Sequence, residues 1–163
     1  MGKTIELSDE IIKLFSKQGA IIISTIDTQK RIHCSVKGLV GIEKEGKVFV
    51  IDLYTGKTHR NLLENSTVSL TVVDEDRFMG FTLQGKAKLV SRADIKEHIV
   101  KEWENRIIQR VSKRMIASIQ RGVTTKKHFE VHLPKHPQHL IEIDVERIID
   151  LSPPSANKRN FKE

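Results

Sequence analysis

The feature that most constrains the fold of this chain is a succession of short, β-branched or alternating segments separated by polar turns. Six such segments occur, at residues 21–26, 32–42, 47–52, 67–73, 78–90 and 140–145. Alternation with a period of two is typical of strands that bury one face. Because the segments are short and their connections tight, they favour an antiparallel barrel over a parallel sheet. Gly80 and Gly85, inside the fifth segment, predict bends or bulges where the barrel curves.

Three other stretches have helical character. Residues 8–19 begin with Ser8, whose hydroxyl can cap a helix, and end at Gly19, which suits the left-handed stop of a helix. A brief helix is predicted over residues 61–64. Residues 93–120 predict a long amphipathic helix or a pair of helices, because apolar residues recur every three to four positions, at Ile95, Ile99, Trp103, Ile107, Val111, Met115 and Ile119. The sequence therefore predicts a mainly β chain of the α+β class: a six-stranded antiparallel barrel with flanking helices and a longer helical insertion before the last strand.

Length and apolar runs set the expected organisation. The chain of 163 residues suits one domain, expected at 1–152 with the helical insertion at 93–121, followed by a mobile polar tail at 153–163. The longest purely apolar run, Ala20-Ile-Ile-Ile23, is far too short to span a membrane, and the first residues lack the apolar core of a signal peptide. A single cysteine, Cys34, excludes an internal disulfide. These features predict a cytoplasmic protein without a membrane partner.

The charge balance favours anionic ligands but does not identify a particular one. The formal net charge is +7, which attracts nucleic acid, acidic membranes or phosphorylated small molecules alike. Only 5% of residues are aromatic, too few for much of a base-stacking platform, and no nucleic-acid-binding motif is present. The composition therefore argues against nucleic acid as the main partner.

The segment at residues 54–61 carries the clearest signal for an anion. It is not a nucleotide phosphate loop, because that motif needs a glycine at the position occupied by Ile51. Lys57 and Arg60 nevertheless supply positive charge, Thr58 supplies a hydroxyl, and the helix that follows would direct free N–H groups toward an anion. The alternative, which these residues alone leave equally open, is an N-capped surface helix with ordinary basic residues.

Several short motifs, taken in order, resemble a known family. They are Gly19-Ala-Ile-Ile-Ile-Ser-Thr-Ile-Asp27, Ser35-Val-Lys37, Lys47-Val-Phe-Val-Ile-Asp52, Thr55-Gly-Lys-Thr-His-Arg-Asn-Leu62, Glu64-Asn65, Val68-Ser-Leu-Thr-Val-Val-Asp74 and Leu83-Gln-Gly-Lys-Ala-Lys-Leu-Val90. Together they resemble the pyridoxamine 5'-phosphate oxidase-like, FMN-binding split-barrel family. The resemblance covers residues 8–90 and the closing strand at 140–150.

The resemblance implies a six-stranded split barrel that forms a homodimer, with FMN in a groove between the subunits. The implied cofactor-binding residues are His33, Ser35, Val36 and Lys37 beside the flavin and its ribityl chain, Ile51 and Asp52 along the ring, and Lys57 and Thr58 at the phosphate, with Arg60 and Asn61 as second choices. It names no catalytic residue in this chain.

The function implied is that of an FMN-dependent oxidoreductase acting on a small molecule of unknown identity, with a deazaflavin as a close variant of the cofactor. The Arg-x-His element that pyridoxamine phosphate oxidases carry near their C-terminus is missing from the last predicted strand, which argues against pyridoxamine oxidation itself. The alternative is a non-enzymatic barrel that binds haem, a polyanion or a partner protein.

The histidines and the single cysteine do not indicate a metal site or a nucleophile. The histidines of the basic, proline-punctuated stretch 124–139 (His128, His132, His136 and His139) are expected to face solvent in a loop, and their spacing lacks the order of known zinc motifs, so no metal site is predicted. Cys34, alone in a strand, is expected to be a small buried apolar residue rather than a nucleophile.

Overall fold

The computed structural model of the chain describes residues 5–122 and 138–154, and these form one closed antiparallel barrel with helices on its surface. The elements, in chain order, are α1 (Asp9–Gln18), β1 (Ala20–Ile26), β2 (Ile32–Ile42), β3 (Lys47–Asp52), α2 (Lys57–Glu64), β4 (Thr67–Asp74), β5 (Met79–Ser91), α3 (Glu97–Gln120) and β6 (His139–Asp150). The strands follow one another around the barrel as β1-β2-β3-β6-β5-β4. The predicted fold, six antiparallel strands with a longer helix before the last, is confirmed.

The core fills the barrel because alternate residues of each strand point inward. Ile21 and Ile23 of β1 are buried between exposed neighbours, and Leu70 and Leu83 meet them from β4 and β5. Helix α1 closes this core with the buried Phe15. Its ends are those that the sequence predicts: the Ile11 N–H donates to the Ser8 hydroxyl (3.4 Å), and Gly19 has a left-handed backbone with φ of 64°.

A bulge interrupts the pairing of β5 with β6 at Gly85. The register shifts between Gln84 and Gly85, which pair with Arg147 and Val145, so the extra residue lies in β6 and the irregularity predicted at Gly85 is confirmed. A Cβ atom on Gly85 would lie 1.9 Å from the carbonyl oxygen of Asp144, so only glycine permits this approach. Gly80 is also tightly packed, because a Cβ atom on it would lie 2.7 Å from the Val72 carbonyl oxygen.

Two helices differ from their predicted extents. Helix α2 begins at Lys57, four residues before the predicted start at 61, and ends at Glu64 as predicted. Helix α3 begins at Glu97 rather than 93, because a 3-10 turn (Arg92–Asp94) comes first. Helix α2 begins early because Thr58 and Asn61 are bonded to side chains of β2 and β1, which lie 20 or more residues away in the chain.

The apolar residues of α3 do not form the single face that their spacing suggests. Each step of four residues advances by about 40° around an α-helix, so the steps from Ile99 to Ile119 drift by about 200°. Ile99 and Trp103 are accordingly buried, whereas Met115 is exposed and Ile119 is 78% exposed.

The closing strand is longer than predicted. β6 begins at His139, which was expected in a loop, and it pairs with both β3 and β5 to complete the barrel. His128, His132 and His136, and the tail from residue 155, lie outside the described residues. No helix in the described ranges is both long enough and apolar enough to cross a membrane.

Candidate functional site

The inward face of β2 carries the polar side chains that meet α2. The register pairs His33 with Thr25 and Ser35 with the core residue Ile23, so these four side chains share one face of the sheet. The Ser35 and Thr58 hydroxyl oxygens lie 2.8 Å apart and share a hydrogen bond. Helix α2 is therefore held across β1 and β2 by its polar side.

Helix α2 packs through a polar seam, formed by Thr58, His59 and Asn61, which are all buried. Besides the Thr58–Ser35 bond, the Asn61 amide donates to the Thr25 hydroxyl at 3.0 Å. Thr58 and Asn61, both predicted as cofactor ligands, are thus hydrogen-bonded within the fold. Arg60 lies on the exposed side of the helix.

A buried charge cluster lies beside the seam. Asp52, the last residue of β3, is 0% exposed, and its Oδ1 accepts from Lys37 Nζ at 2.5 Å. Its Oδ2 is 3.7 Å from Nδ1 of His59, and neither of these two atoms has a hydrogen-bond partner among the described residues. The rings of His59 and His139 stack with centroids 4.3 Å apart and planes tilted by 38°.

The environment of His59 favours its neutral form. Burial lowers the pKa of His59 from its ordinary value of 6.5, and the neighbouring His139 and Lys37 lower it as well. The Asp52 carboxylate acts in the opposite direction and raises the pKa of His59. The net shift is downward because desolvation is the largest contribution.

A cleft of about 280 Å³ lies between α3 and strands β2 and β3. Its wall on α3 is fixed by Trp103, whose ring packs so closely on Gly38 that an added Cβ would lie 3.1 Å from it. Arg110 donates to the Gly19 carbonyl oxygen at 2.5 Å, which ties α3 to the end of α1. The lining combines apolar and cationic residues: Ala20, Val36, Lys37, Gly38, Ile51, Leu53, Tyr54, Trp103, Ile107, Arg110 and Arg114.

A second cleft, of about 430 Å³, lies along α2 on the side of the β1–β2 turn. Asp27 organises it: the Arg31 side chain is 3.0 Å from the Asp27 carboxylate, and Lys57 Nζ is 3.6 Å from it. The bond from the Arg31 backbone N–H is the main reason that the pKa of Asp27 falls from 3.8 to about 2, against the opposing effect of desolvation. The Lys57 side chain stays 42% exposed, so it can reach an anion at the helix start.

The predicted cofactor residues are thus distributed around α2 rather than gathered in one pocket. Val36, Lys37 and Ile51 line the cleft under α3, whereas Lys57, Arg60 and Asn61 line the cleft along α2. His33, Ser35, Asp52 and Thr58 line neither cleft. Their roles toward a cofactor stay predictions.

Sequence reasoning missed His59 and Asp27, and it interpreted Trp103 most simply as a packing or interface residue, with an aromatic cover for the flavin as the alternative. A helix beginning at Lys57 would have placed His59 near the inward side with Thr58, Asn61 and Leu62, at spacings of three to four residues. The predicted helix began at 61, so it did not include Thr58 and His59 and this spacing was not recognised.

The outer face of the barrel holds a third cleft, of about 490 Å³, across β1, β4, β5 and β6. Cys34 lies on the outer face of β2 and is exposed, so the expectation of a buried apolar cysteine was wrong; its Sγ is 3.3 Å from the Ser24 hydroxyl. No three histidine, cysteine or acidic side chains of residues 5–122 and 138–154 come together as metal ligands would.

The antiparallel barrel with α2 inserted between β3 and β4, and with a cationic helix start beside it, defines a class of split-barrel proteins. The chain belongs to the pyridoxamine 5'-phosphate oxidase family, whose sequence model matches residues 7–152. No curated protein matches the chain.

Solved structures share the fold at low identity. HupZ of Group A Streptococcus superposes with a TM-score of 0.60 at 16% identity, covering 90% of this chain and 94% of HupZ. An FMN-binding protein from Syntrophomonas wolfei subsp. wolfei gives 0.57 at 14% identity, covering 89% and 86% of the two chains. An F420 reductase gives 0.55 at 9% identity, covering 88% and 98%. At these identities the likeness concerns the fold alone.

Proposed function

We propose that this protein is a cytoplasmic, FMN-binding flavoprotein that acts as an oxidoreductase on a small molecule. The observation that carries the proposal is the start of α2. Its N-cap is Gly56, which has no side chain that could bond to the first N–H groups of the helix, and the partly exposed Lys57 follows directly. Free N–H groups at a helix start together with a lysine suit a phosphate dianion.

The cleft under α3 fits the flavin ring of the cofactor in part. The cleft under α3 is lined by the apolar Ile51 and Leu53, by Trp103 and by Lys37. An apolar slot with few polar groups is typical of cofactor sites. Bound there, FMN would supply electron or hydride transfer, while Lys57 would bind its phosphate and the cleft would keep water from the ring.

The geometry suits a deazaflavin as well, because such a cofactor also combines a flat ring with a phosphate. An FMN-binding protein and an F420 reductase share the fold, and F420 is a deazaflavin. We favour FMN, the cofactor that the family resemblance implies, and the mass of a copurified cofactor distinguishes it from a deazaflavin.

We further propose a homodimer with the cofactor near the subunit interface. Val36, on the exposed face of β2, lines the cleft under α3 and is 72% exposed. Its partner in the register, Ile22, is exposed beside it, as is Ile32 at the start of the strand. A contiguous exposed apolar surface of this kind is typical of a protein interface.

The test is to identify any small molecule that copurifies, by mass spectrometry, and to measure FMN affinity of Lys57→Ala by fluorescence titration. Loss of a charge-assisted bond of about 1.5–3 kcal/mol should weaken binding by roughly tenfold to a hundredfold. Lys13→Ala, which removes an exposed lysine on α1, is the matched control and should bind as wild type does. Wild-type protein that binds no flavin after reconstitution would overturn the proposal.

A further inference from the structure

Asp52 is a fully buried carboxylate with a single close cation. It ends β3, and its Oδ1 accepts the hydrogen bond from Lys37 Nζ at 2.5 Å. An ionised carboxylate without a partner is strongly disfavoured in a protein interior, so its burial depends on this lysine.

The barrel places Lys37 between Asp52 and the cleft under α3. Gly38 pairs with Ile51 in the β2–β3 register, so Lys37 lies directly opposite Asp52 and shares its face of the sheet. The Lys37 side chain is 14% exposed, and Lys37 is among the residues that line the cleft. Lys37 thus belongs to the cleft lining while its ammonium is bonded to the buried carboxylate.

His59 faces the second oxygen of the same carboxylate. His59 Nδ1 from α2 is 3.7 Å from Asp52 Oδ2, and neither atom has another partner in the described part of the chain. From β6, His139 stacks on His59, and its backbone pairs with that of Asp52. The groups facing Asp52 are thus Lys37 from β2, His59 from α2 and His139 from β6.

We propose that Asp52 is a positioning residue: it holds the Lys37 ammonium at the edge of the cleft as a charged donor toward acceptor atoms of the bound flavin ring. His59, from α2, lies beside the second oxygen of the same carboxylate. This role differs from the expectation that Asp52 itself lines the ring. The inference rests on the proposed flavin site for its functional part, and on the buried contacts alone for its structural part.

The structural part is tested without cofactor, by NMR titration of His59. Asp52→Asn should lower the pKa of His59, because the carboxylate raises it; Lys37→Met should raise the pKa, because the ammonium lowers it. Lys37→Arg, which keeps the charge, should leave the pKa close to the wild-type value. If Asp52→Asn fails to fold, the contrast between the two Lys37 variants still decides. A His59 pKa that is the same in the wild type and in Lys37→Met would overturn the inference.

The functional part is tested by a double-mutant cycle on FMN affinity. If Asp52 acts through Lys37, Asp52→Asn and Lys37→Met should each weaken binding by about tenfold, and the double variant should bind no more weakly than either. Independent losses that multiply to about a hundredfold would overturn the positioning role.

The matched control is Asp74→Asn. Asp74 is also a buried carboxylate at the end of a strand, with a lysine (Lys17) 3.7 Å away, but it lines neither the cleft under α3 nor the cleft along α2. It should change neither the FMN affinity nor the His59 titration. A wild type that binds no FMN while His59 responds as expected would refute the proposed cofactor and the role of Lys37 toward it, yet support the Asp52–Lys37 contact.

Discussion

His59 and its neighbours on α2 illustrate how tertiary contacts change the chemistry of ordinary residues. Thr58 and Asn61 carry hydroxyl and amide groups that suit a phosphate, yet in the fold they bond to Ser35 and Thr25. Lys57, one position earlier, keeps a partly exposed ammonium. The first five residues of α2 thus include one residue that can bind a ligand and others that anchor the helix.

The lowered pKa of His59 predicts a stability that depends on pH. In the unfolded chain His59 takes up a proton near its ordinary pKa of 6.5, but in the folded protein only at lower pH. The unfolded state therefore binds more protons as the pH falls below 6.5, and the free energy of unfolding decreases. His59→Gln should lose less stability between pH 7 and pH 5 than wild type, as measured by urea denaturation at each pH.

The control for this prediction is His98→Gln, which removes an exposed histidine at the start of α3. It should retain the wild-type pH dependence. An identical dependence in His59→Gln and wild type would show that burial of His59 does not oppose its protonation.

At the level of secondary-structure elements, contacts of Trp103 and Arg110 attach α3 to the rest of the fold. Trp103 packs on Gly38 and Arg110 bonds to the Gly19 carbonyl oxygen, whereas Ile108 and Ile119 face away from the barrel. The apolar repeat of four residues drifts around the helix. Its residues near Trp103 therefore pack on the barrel, and those farther along the helix are exposed.

Trp103→Ala should therefore loosen α3 and leave the barrel folded. Removing a buried tryptophan costs about 3–5 kcal/mol, and here the loss should fall on the attachment of the helix. Limited trypsin digestion, which can cut at the many basic residues of α3, should become faster, while the β signal in circular dichroism persists. Ile108→Ala, on the exposed face of the same helix, should digest like wild type. Equal digestion of wild type and Trp103→Ala would contradict this account.

At the level of the whole molecule, the barrel presents an apolar outer face that a second copy would cover. In a two-fold dimer the same patch occurs on both partners, so one charged substitution introduces two like charges into the interface. Val36→Glu should convert the proposed dimer to a monomer, as measured by light scattering after gel filtration. Phe78→Glu, which changes an exposed apolar residue at the β4–β5 turn, should leave the dimer intact. A monomeric wild type would refute the proposed dimer.

Features set by local chemistry were predictable from the sequence. β2 and β3 have the predicted bounds, and Ser8 and Gly19 end α1 as expected, because alternation, turns and caps depend on neighbouring residues. The irregular pairing at Gly85 was predictable since glycine in a strand marks a close backbone approach, here to Asp144.

The sequence by itself determined the strands, their antiparallel pairing and the basic segment between β3 and β4, through periodicity and residue type. Only the tertiary structure decided that α2 begins at Lys57, that Asp52 and His59 are buried together, and that some predicted cofactor residues line two separate clefts while others line neither. These outcomes depend on contacts such as Ser35–Thr58 and Lys37–Asp52, between residues far apart in the chain. Such contacts are created by strand pairing and burial, so no local pattern encodes them.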